Sequence, residues 1–453
     1  MSETRENKMG QKPILPLLIS MSLPAIFSML VQALYNVVDS AFVGQLGQDA
    51  FTAVSLAFPV QTLMIAVSVG TGIGINSLIA RRLGERNREE ASQVALHGVL
   101  CETVSSLLFL VFGLFFSRPF LAAFTDNPSI IEMGTSYVSI VTTLSMGLFW
   151  SITAEKVLQG TGNMRDPMLI QLIGAIINII LDPIFIFGWL GLPAMGVAGA
   201  AIATVVGQFC SFFYGLFVMV RGKHEISISP KIFSFRWRIV GNIYQVGFPS
   251  IIMQSISAVL NVFLNNILIS FSDAAVAVLG VYFKLQSFIF MPMFGLNNGA
   301  LPIMGFNYGA RSPKRLMECL KWALLIGLGI SGVGVLLFWV TPTLLLGLFN
   351  ASPEMVELGV PAMHIISLCF VFASVGICLS NFFQAIGEGF RSLLISTVRQ
   401  VVVILPAAYF LSRFFGVTGV WMSFPIAEVV AFLLVLIIFR STYRQKILTM
   451  ETK

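Results

Sequence analysis

The sequence predicts an all-α integral membrane protein: twelve transmembrane helices in two six-helix lobes related by a parallel internal repeat. Three observations carry that prediction. The first is composition: of 453 residues 57% are hydrophobic and only 11% charged, whereas a soluble domain carries about 25% charged residues. The second is a series of apolar runs at 16–44, 51–79, 92–116, 131–158, 168–190, 196–220, 242–270, 275–305, 322–346, 359–382, 393–413 and 418–440. Most have the roughly 20 residues a spanning helix needs, and the longer ones leave room for tilt. The third is that the chain repeats itself. One constant shift lays Pro24 on Pro249, Asn36 on Asn261, Gln61 on Gln286, Gly74 on Gly299, Gly84 on Gly309, Arg86 on Arg311, Gln159 on Gln384 and Gly162 on Gly387.

The register then slips slightly, where Pro183 meets Pro406 and where Gly196 and Gly199 meet Gly416 and Gly419. Six spans per copy is an even number, so both copies enter the membrane from the same side, and their symmetry axis runs along the membrane normal. The expected organisation is an N-terminal lobe at 13–220, a basic cytoplasmic linker at 221–241 and a C-terminal lobe at 242–446. Of the 27 Lys and Arg residues, 23 fall on the side that holds both termini and only Arg118 and Arg413 on the other. The positive-inside rule therefore puts both termini in the cytoplasm. Lys284 and Arg399 remain, both inside predicted helices.

Other classes are disfavoured. The basic clusters lie between apolar runs rather than along a polar stripe, which argues against nucleic acid. The five cysteines show no metal or disulfide spacing, and His97, His224 and His364 are scattered; neither zinc nor an enzyme centre is expected. There is no G-x-x-x-x-G-K loop, so ATP is not the direct driver. The start of the chain, polar and charged up to Lys12, lacks the apolar core of a cleavable signal peptide.

Asp182 is the residue that stands out. It lies in Asn178-Ile-Ile-Leu-Asp-Pro183 within the apolar run 168–190, where an unpaired charge costs roughly 3 kcal/mol or more. Asn178, four residues earlier, shares its helical face, and Pro183 removes a backbone donor and frees a carbonyl nearby. In the first run Tyr35, Asn36 and Asp39 share a face at i, i+1 and i+4, and Tyr35 is also a candidate for the wall of a substrate cavity. Counted from the outer ends of their helices, Asp39, Asp182 and Thr204 reach similar depth. Two acids, two amides and a hydroxyl would form an oxygen-rich cup able to exchange a proton or hold Na⁺. The plainer alternative is two separately satisfied acids that glue helices together.

Under the repeat, Asp39 falls on Leu264 and Asp182 on Leu405, so ion chemistry is expected in the first copy alone. The second copy offers Gln254, Asn261, Lys284 and Asn297, with Phe288 and Met291 as a soft wall for a substrate. Lys284 is either a substrate-facing cation or a structural partner. Arg399 and Glu428, on consecutive antiparallel helices, are expected to pair.

The run Leu34-Tyr-Asn-Val-Val-Asp-Ser-Ala-Phe-Val-Gly-Gln-Leu-Gly47, with Gln159-Gly-Thr-Gly-Asn163, Asn178–Pro183 and Gly196-Val-Ala-Gly-Ala-Ala-Ile-Ala-Thr204, resembles the MATE family, multidrug and toxic compound extrusion. The likeness covers residues 15 to 440 and is nearest the bacterial MepA-like branch. It implies a V-shaped central cleft and secondary-active efflux of lipophilic cationic drugs and dyes in exchange for H⁺ or Na⁺. Asp39, Asp182 and Asn178 match the family's first-lobe cation site, and Thr204 a position associated with it. Helices 7 and 10 lack the acids that some branches carry there. The implied setting is the bacterial plasma membrane, with a functional monomer and no cofactor beyond the coupling ion. A lipid-linked sugar flippase is the alternative, and it should line its cavity with more Arg and Lys than this chain supplies.

Overall fold

A computed structural model describes residues 7–221 and 225–451; residues 222–224 of the expected linker, His224 among them, lie outside the described residues. All regular structure among the described residues is helical. In chain order the long elements are α1 (Ile14–Gly44), α2 (Gln48–Gly84), α3 (Arg88–Phe115), α4 (Pro128–Thr143), α5 (Met146–Gly160), α6 (Arg165–Phe187) and α7 (Val197–Arg221). They continue as α8 (Trp237–Ile269), α9 (Asp273–Gly309), α10 (Pro313–Val340), α11 (Pro353–Ser367), α12 (Cys369–Ala385), α13 (Gly389–Phe415) and α14 (Val417–Thr442). Ten are long and apolar enough to span, and α4 with α5, and α11 with α12, each pass the same test as a pair bent by 45°. Counting each bent pair as one span gives twelve.

The two bends correct the reading of 131–158 and 359–382 as unbroken runs. Hydroxyls at the breaks supply the reason. Thr142 donates to the Val138 carbonyl at 2.6 Å, and Ser367 to the His364 carbonyl at 3.2 Å. Such back-bonds compete with the i→i−4 ladder where it stops. Opposite the first bend, Gly113 admits the turn: a Cβ there would sit 2.3 Å from the Thr142 hydroxyl.

The repeat is visible in the backbone itself. The shift that relates Pro24 to Pro249 also carries both ends of α2 onto the ends of α9, and both ends of α3 onto the ends of α10. The tight turns repeat as well. Arg86 and Arg311 have φ of 59° and 51°, Gly162 and Gly387 have 85° and 88°, and Gly196 and Gly416 have 55° and 60°. A left-handed arginine costs about 1 kcal/mol or more, so its presence in both copies marks a turn that the surrounding helices enforce. One departure lies in α13, where Val398–Ile404 is wound with i→i+5 bonds ahead of Pro406, while α6 runs as an α-helix up to and past Pro183.

The helices divide into two compact units. One comprises Phe27–Ile251, and the other the remaining described residues. The divisions fall inside α1 and α8, so each of these helices contributes to both units. Glycines explain the assignment. In the first unit, Gly70 and Gly74 of α2 bring its backbone against the start of α8: added Cβ atoms would meet the Ile251 amide nitrogen at 2.8 Å and the Ile243 carbonyl oxygen at 2.2 Å. In the second, Gly295 and Gly299 of α9 do the same to the start of α1, at Ile26 Cα (2.6 Å) and the Ser22 amide nitrogen (2.8 Å). Small residues permit this approach, and dispersion between close backbones holds it in a lipid setting that gives helices little hydrophobic drive.

Candidate functional site

Asp39 and Asp182 each lie five residues from the end of their helices, α1 at Gly44 and α6 at Phe187. At about 1.5 Å rise per residue, both sit about 7.5 Å below those ends. The ends themselves are in contact: the Phe42 and Phe187 rings meet edge to face at 6.3 Å, and Val43 and Ile186 share one apolar core. The carboxyls of Asp39 and Asp182 consequently lie close enough to interact with one another. Asp182 is fully buried, and one oxygen of each acid (Oδ1) has no other hydrogen-bond partner among the described residues.

Asn178 and Thr204 complete the floor. In the amide orientation that satisfies both sides, the Asn178 nitrogen donates to Asp182 Oδ2 at 2.8 Å and its oxygen accepts from the Thr204 backbone N–H at 3.0 Å. The Thr204 hydroxyl donates to the Ala200 carbonyl at 3.0 Å. The local sequence dictates this closeness. A Cβ at Gly199 would stand 2.4 Å from the Phe185 carbonyl, and one at Gly207 would stand 2.8 Å from the Gly174 carbonyl. Glycine at these positions lets the backbones of α6 and α7 touch above and below Thr204, which brings it to Asn178.

Two further residues belong here, Tyr137 and Gln61, neither of which stands out as an ion-site residue from its own helix. Tyr137 of α4 is buried, accepts a hydrogen bond from Gln61 Nε2 of α2 at 2.7 Å, and reaches toward Thr204. Tyr35 reaches the same threonine from α1. The cluster thus draws on α1, α2, α4, α6 and α7, all in the first unit. The repeat does flag Gln61, as the partner of Gln286. Tyr137 carries no such mark, and only its position on α4 opposite α7 reveals it. Asn36 stands apart, exposed, with its carbonyl accepting from the Ser40 hydroxyl at 2.8 Å.

In the second unit the predicted residues spread along α8 and α9. Gln254 and Asn261 are half-buried on α8, and Asn261 Nδ2 donates to the Ser257 carbonyl at 3.1 Å. Lys284 and Phe288 are exposed and Met291 half-exposed one turn apart on α9. The Lys284 ammonium lies 5.8 Å over the Phe349 ring, and no carboxylate pairs with it among the described residues. Asn297 is buried; its side chain donates to the Met293 carbonyl and its backbone carbonyl accepts from Asn381 of α12, both at 3.0 Å. Arg399 and Glu428 form the expected pair at 3.3 Å. Lys156, one of the cations expected in a cytoplasmic loop, is instead buried in α5. Its ammonium lies 3.1 Å from both Glu155 and Gln159.

Comparison with known proteins agrees with this architecture. The family model MatE matches residues 24–184 and again 249–410, the two starts falling on Pro24 and its repeat partner Pro249. The chain is 28% identical to a FAD transporter of Shewanella oneidensis and 24% identical to the multidrug export protein MepA of Staphylococcus aureus, each alignment covering 92% of both chains. Among solved structures it is similar to a MATE protein in complex with MaL6, with a TM-score of 0.92 and 26% identity over 99% of this chain and all of that one. It is similar, too, to an outward-facing multidrug resistance MATE transporter of the MOP superfamily, with a TM-score of 0.91 and 26% identity over 99% of each. A repeated match across most of the chain, on a fold of the same twelve spans, places this multi-pass membrane protein among transporters: the chain belongs to the MATE family.

Proposed function

We propose that the chain is a secondary-active efflux antiporter, exporting lipophilic organic molecules by alternating access while H⁺ or Na⁺ moves inward through Asp39 and Asp182. The observation that carries this is the meeting of two carboxyls at one depth in the apolar region, each with an unpartnered oxygen. Two carboxylates at this distance repel unless a cation lies between them, so the pair binds one readily. It is too sparse in fixed oxygens for a divalent ion, which takes six to eight. Asn178, Thr204, Tyr35 and Tyr137 hold the pair and supply neutral oxygens for whichever cation enters. The ion and the substrate each favour one arrangement of the helices, and each shifts the balance only by its difference in affinity between the two. Both termini are cytoplasmic, as the basic residues dictate, in the plasma membrane of a bacterium, and the monomer suffices.

For the substrate, lipophilic cations are the first reading, and the multidrug export relatives support it. A second reading rests on Lys284. An unpaired ammonium beside an aromatic ring at membrane depth suits an aromatic molecule with an anionic group, and one relative is a FAD transporter. Efflux from energised vesicles decides both points. With the proton and sodium gradients collapsed separately, export of a cationic dye should stop with one of them, and export indifferent to both overturns the antiporter reading. Under the second reading, Lys284→Ala lowers export of a flavin nucleotide tenfold or more and spares the dye.

A further inference from the structure

We propose that Glu102 of α3 is a second proton-binding site, separate from the Asp39–Asp182 pair and reached through Tyr244. Glu102 is fully buried near the middle of α3, and neither carboxyl oxygen has a hydrogen-bond partner among the described residues. Two hydroxyls on the facing helix α2, Ser68 and Thr71, are likewise buried and unpartnered, with Ser68 beside the acid. A naked carboxylate in such a place carries a heavy desolvation cost. A protonated one removes that cost and gains a donor that the Ser68 hydroxyl can accept.

The way in is also present. Tyr244, on the first half of α8, is only partly buried; one turn further along α8 a Cβ at Gly247 would stand 3.2 Å from the Thr71 Cα, which sets the tyrosine beside Thr71 and the Cys101–Ser105 stretch around Glu102. The close seating of α8 on Gly70 and Gly74 brings it there. A proton delivered to Tyr244 passes along the hydroxyls, each giving up one proton as it takes another. The last transfer converts the carboxylate to the acid and leaves every hydroxyl as it began.

The other titratable or charged groups around α3 are already engaged. On α3 itself, His97 contacts the Gln93 carbonyl through Nδ1 and accepts from the Arg236 backbone N–H through Nε2. From α5, Lys156 and Glu155 face each other, with the lysine stem lying against Gly72. From α4, Tyr137 is bound to Gln61. Arg118, in the short helix after α3, is sixteen residues further along the chain. Among the described residues no cation is therefore placed to hold Glu102 ionised.

The test is infrared difference spectroscopy of the full-length protein in liposomes between alkaline and acidic buffer, following the carbonyl stretch of protonated carboxylic acids. Subtracting the spectrum of Asp39→Asn/Asp182→Asn with Glu102→Gln added from that of Asp39→Asn/Asp182→Asn alone should leave one such band, that of Glu102. Tyr244→Phe should keep the band but slow its hydrogen–deuterium exchange several-fold. A band of equal size with and without Glu102 overturns the site, and exchange unaltered in Tyr244→Phe overturns the route. If Glu102→Gln fails to insert, Glu102→Asp reads the same point: the band must shift, and an unshifted band rejects the assignment. Because the background lacks the aspartate pair, the outcome is independent of whether that pair couples transport.

Discussion

Asp182 carries the sharpest consequence at the scale of single residues. Asparagine keeps its volume and can hydrogen-bond Asn178, but it cannot carry the charge that draws a cation to Asp39. Asp182→Asn is therefore expected to fold at least as well as the parent, since a neutral amide is cheaper to bury than a charge. It should lose gradient-driven efflux by tenfold or more. Leu405→Asn, at the matching place in α13, should alter packing and leave ion dependence intact. Near-normal, gradient-dependent export by well-expressed Asp182→Asn would remove the acid from the coupling role. The pair Asp39 and Asp182, with Asn178 and Thr204, was legible in the sequence because charge in an apolar run is costly and the i, i+4 spacing fixes its face. Glu102 was equally visible as a letter but lies within a run whose cytoplasmic end is itself charged. Its isolation is a property of the packing, in which α2 sets the hydroxyls of Ser68 and Thr71 against it.

At the scale of elements, the contact of α6 with α7 decides the site. Gly199 has no room for a methyl group against the Phe185 carbonyl. Gly199→Ala must push α7 outward and draw Thr204 away from Asn178, with an overpacking cost of about 1–3 kcal/mol. The expected result is a lower melting temperature together with weaker cation-dependent stabilisation. Gly419→Ala, equally crowded against the Leu411 carbonyl, should lower the melting temperature while sparing the cation effect. If both variants lose it equally, the α6–α7 contact is not what sets the cation site. The span count and the matching of α2 with α9 and of α3 with α10 followed from hydropathy and register. The bends between α4 and α5 and between α11 and α12 did not, because a back-bonding threonine or serine leaves the apolar run intact.

For the whole molecule, the repeat in sequence and the unit in space are different divisions. The first repeat ends at α7, but the first unit is complete only with α8 up to Ile251. A chain ending at Arg221 leaves Gly70 and Gly74 facing nothing, and a chain beginning at Trp237 leaves Gly295 and Gly299 in the same state. Expressed singly, such halves should aggregate or be degraded. Expressed together, they should reassociate and regain export. A stable, monodisperse N-terminal half would show that the glycine contacts are dispensable. No hydropathy pattern reports this exchange, since α1 and α8 run on as helices through the division; it rests on which glycines meet which backbone.

The sharing of α1 and α8 also imposes an order on biosynthesis. Ile14–Ile26 leaves the ribosome long before Gly295 and Gly299, which it must meet and which follow it by more than 250 residues. At about 5–20 residues per second, that stretch waits roughly 15–55 s in the membrane before its partner exists. The Phe27–Ile251 unit, by contrast, can close as soon as Ile251 has emerged. Assembly is thus sequential and nested: the start of α1 waits across the closing of the Phe27–Ile251 unit for a partner made after it.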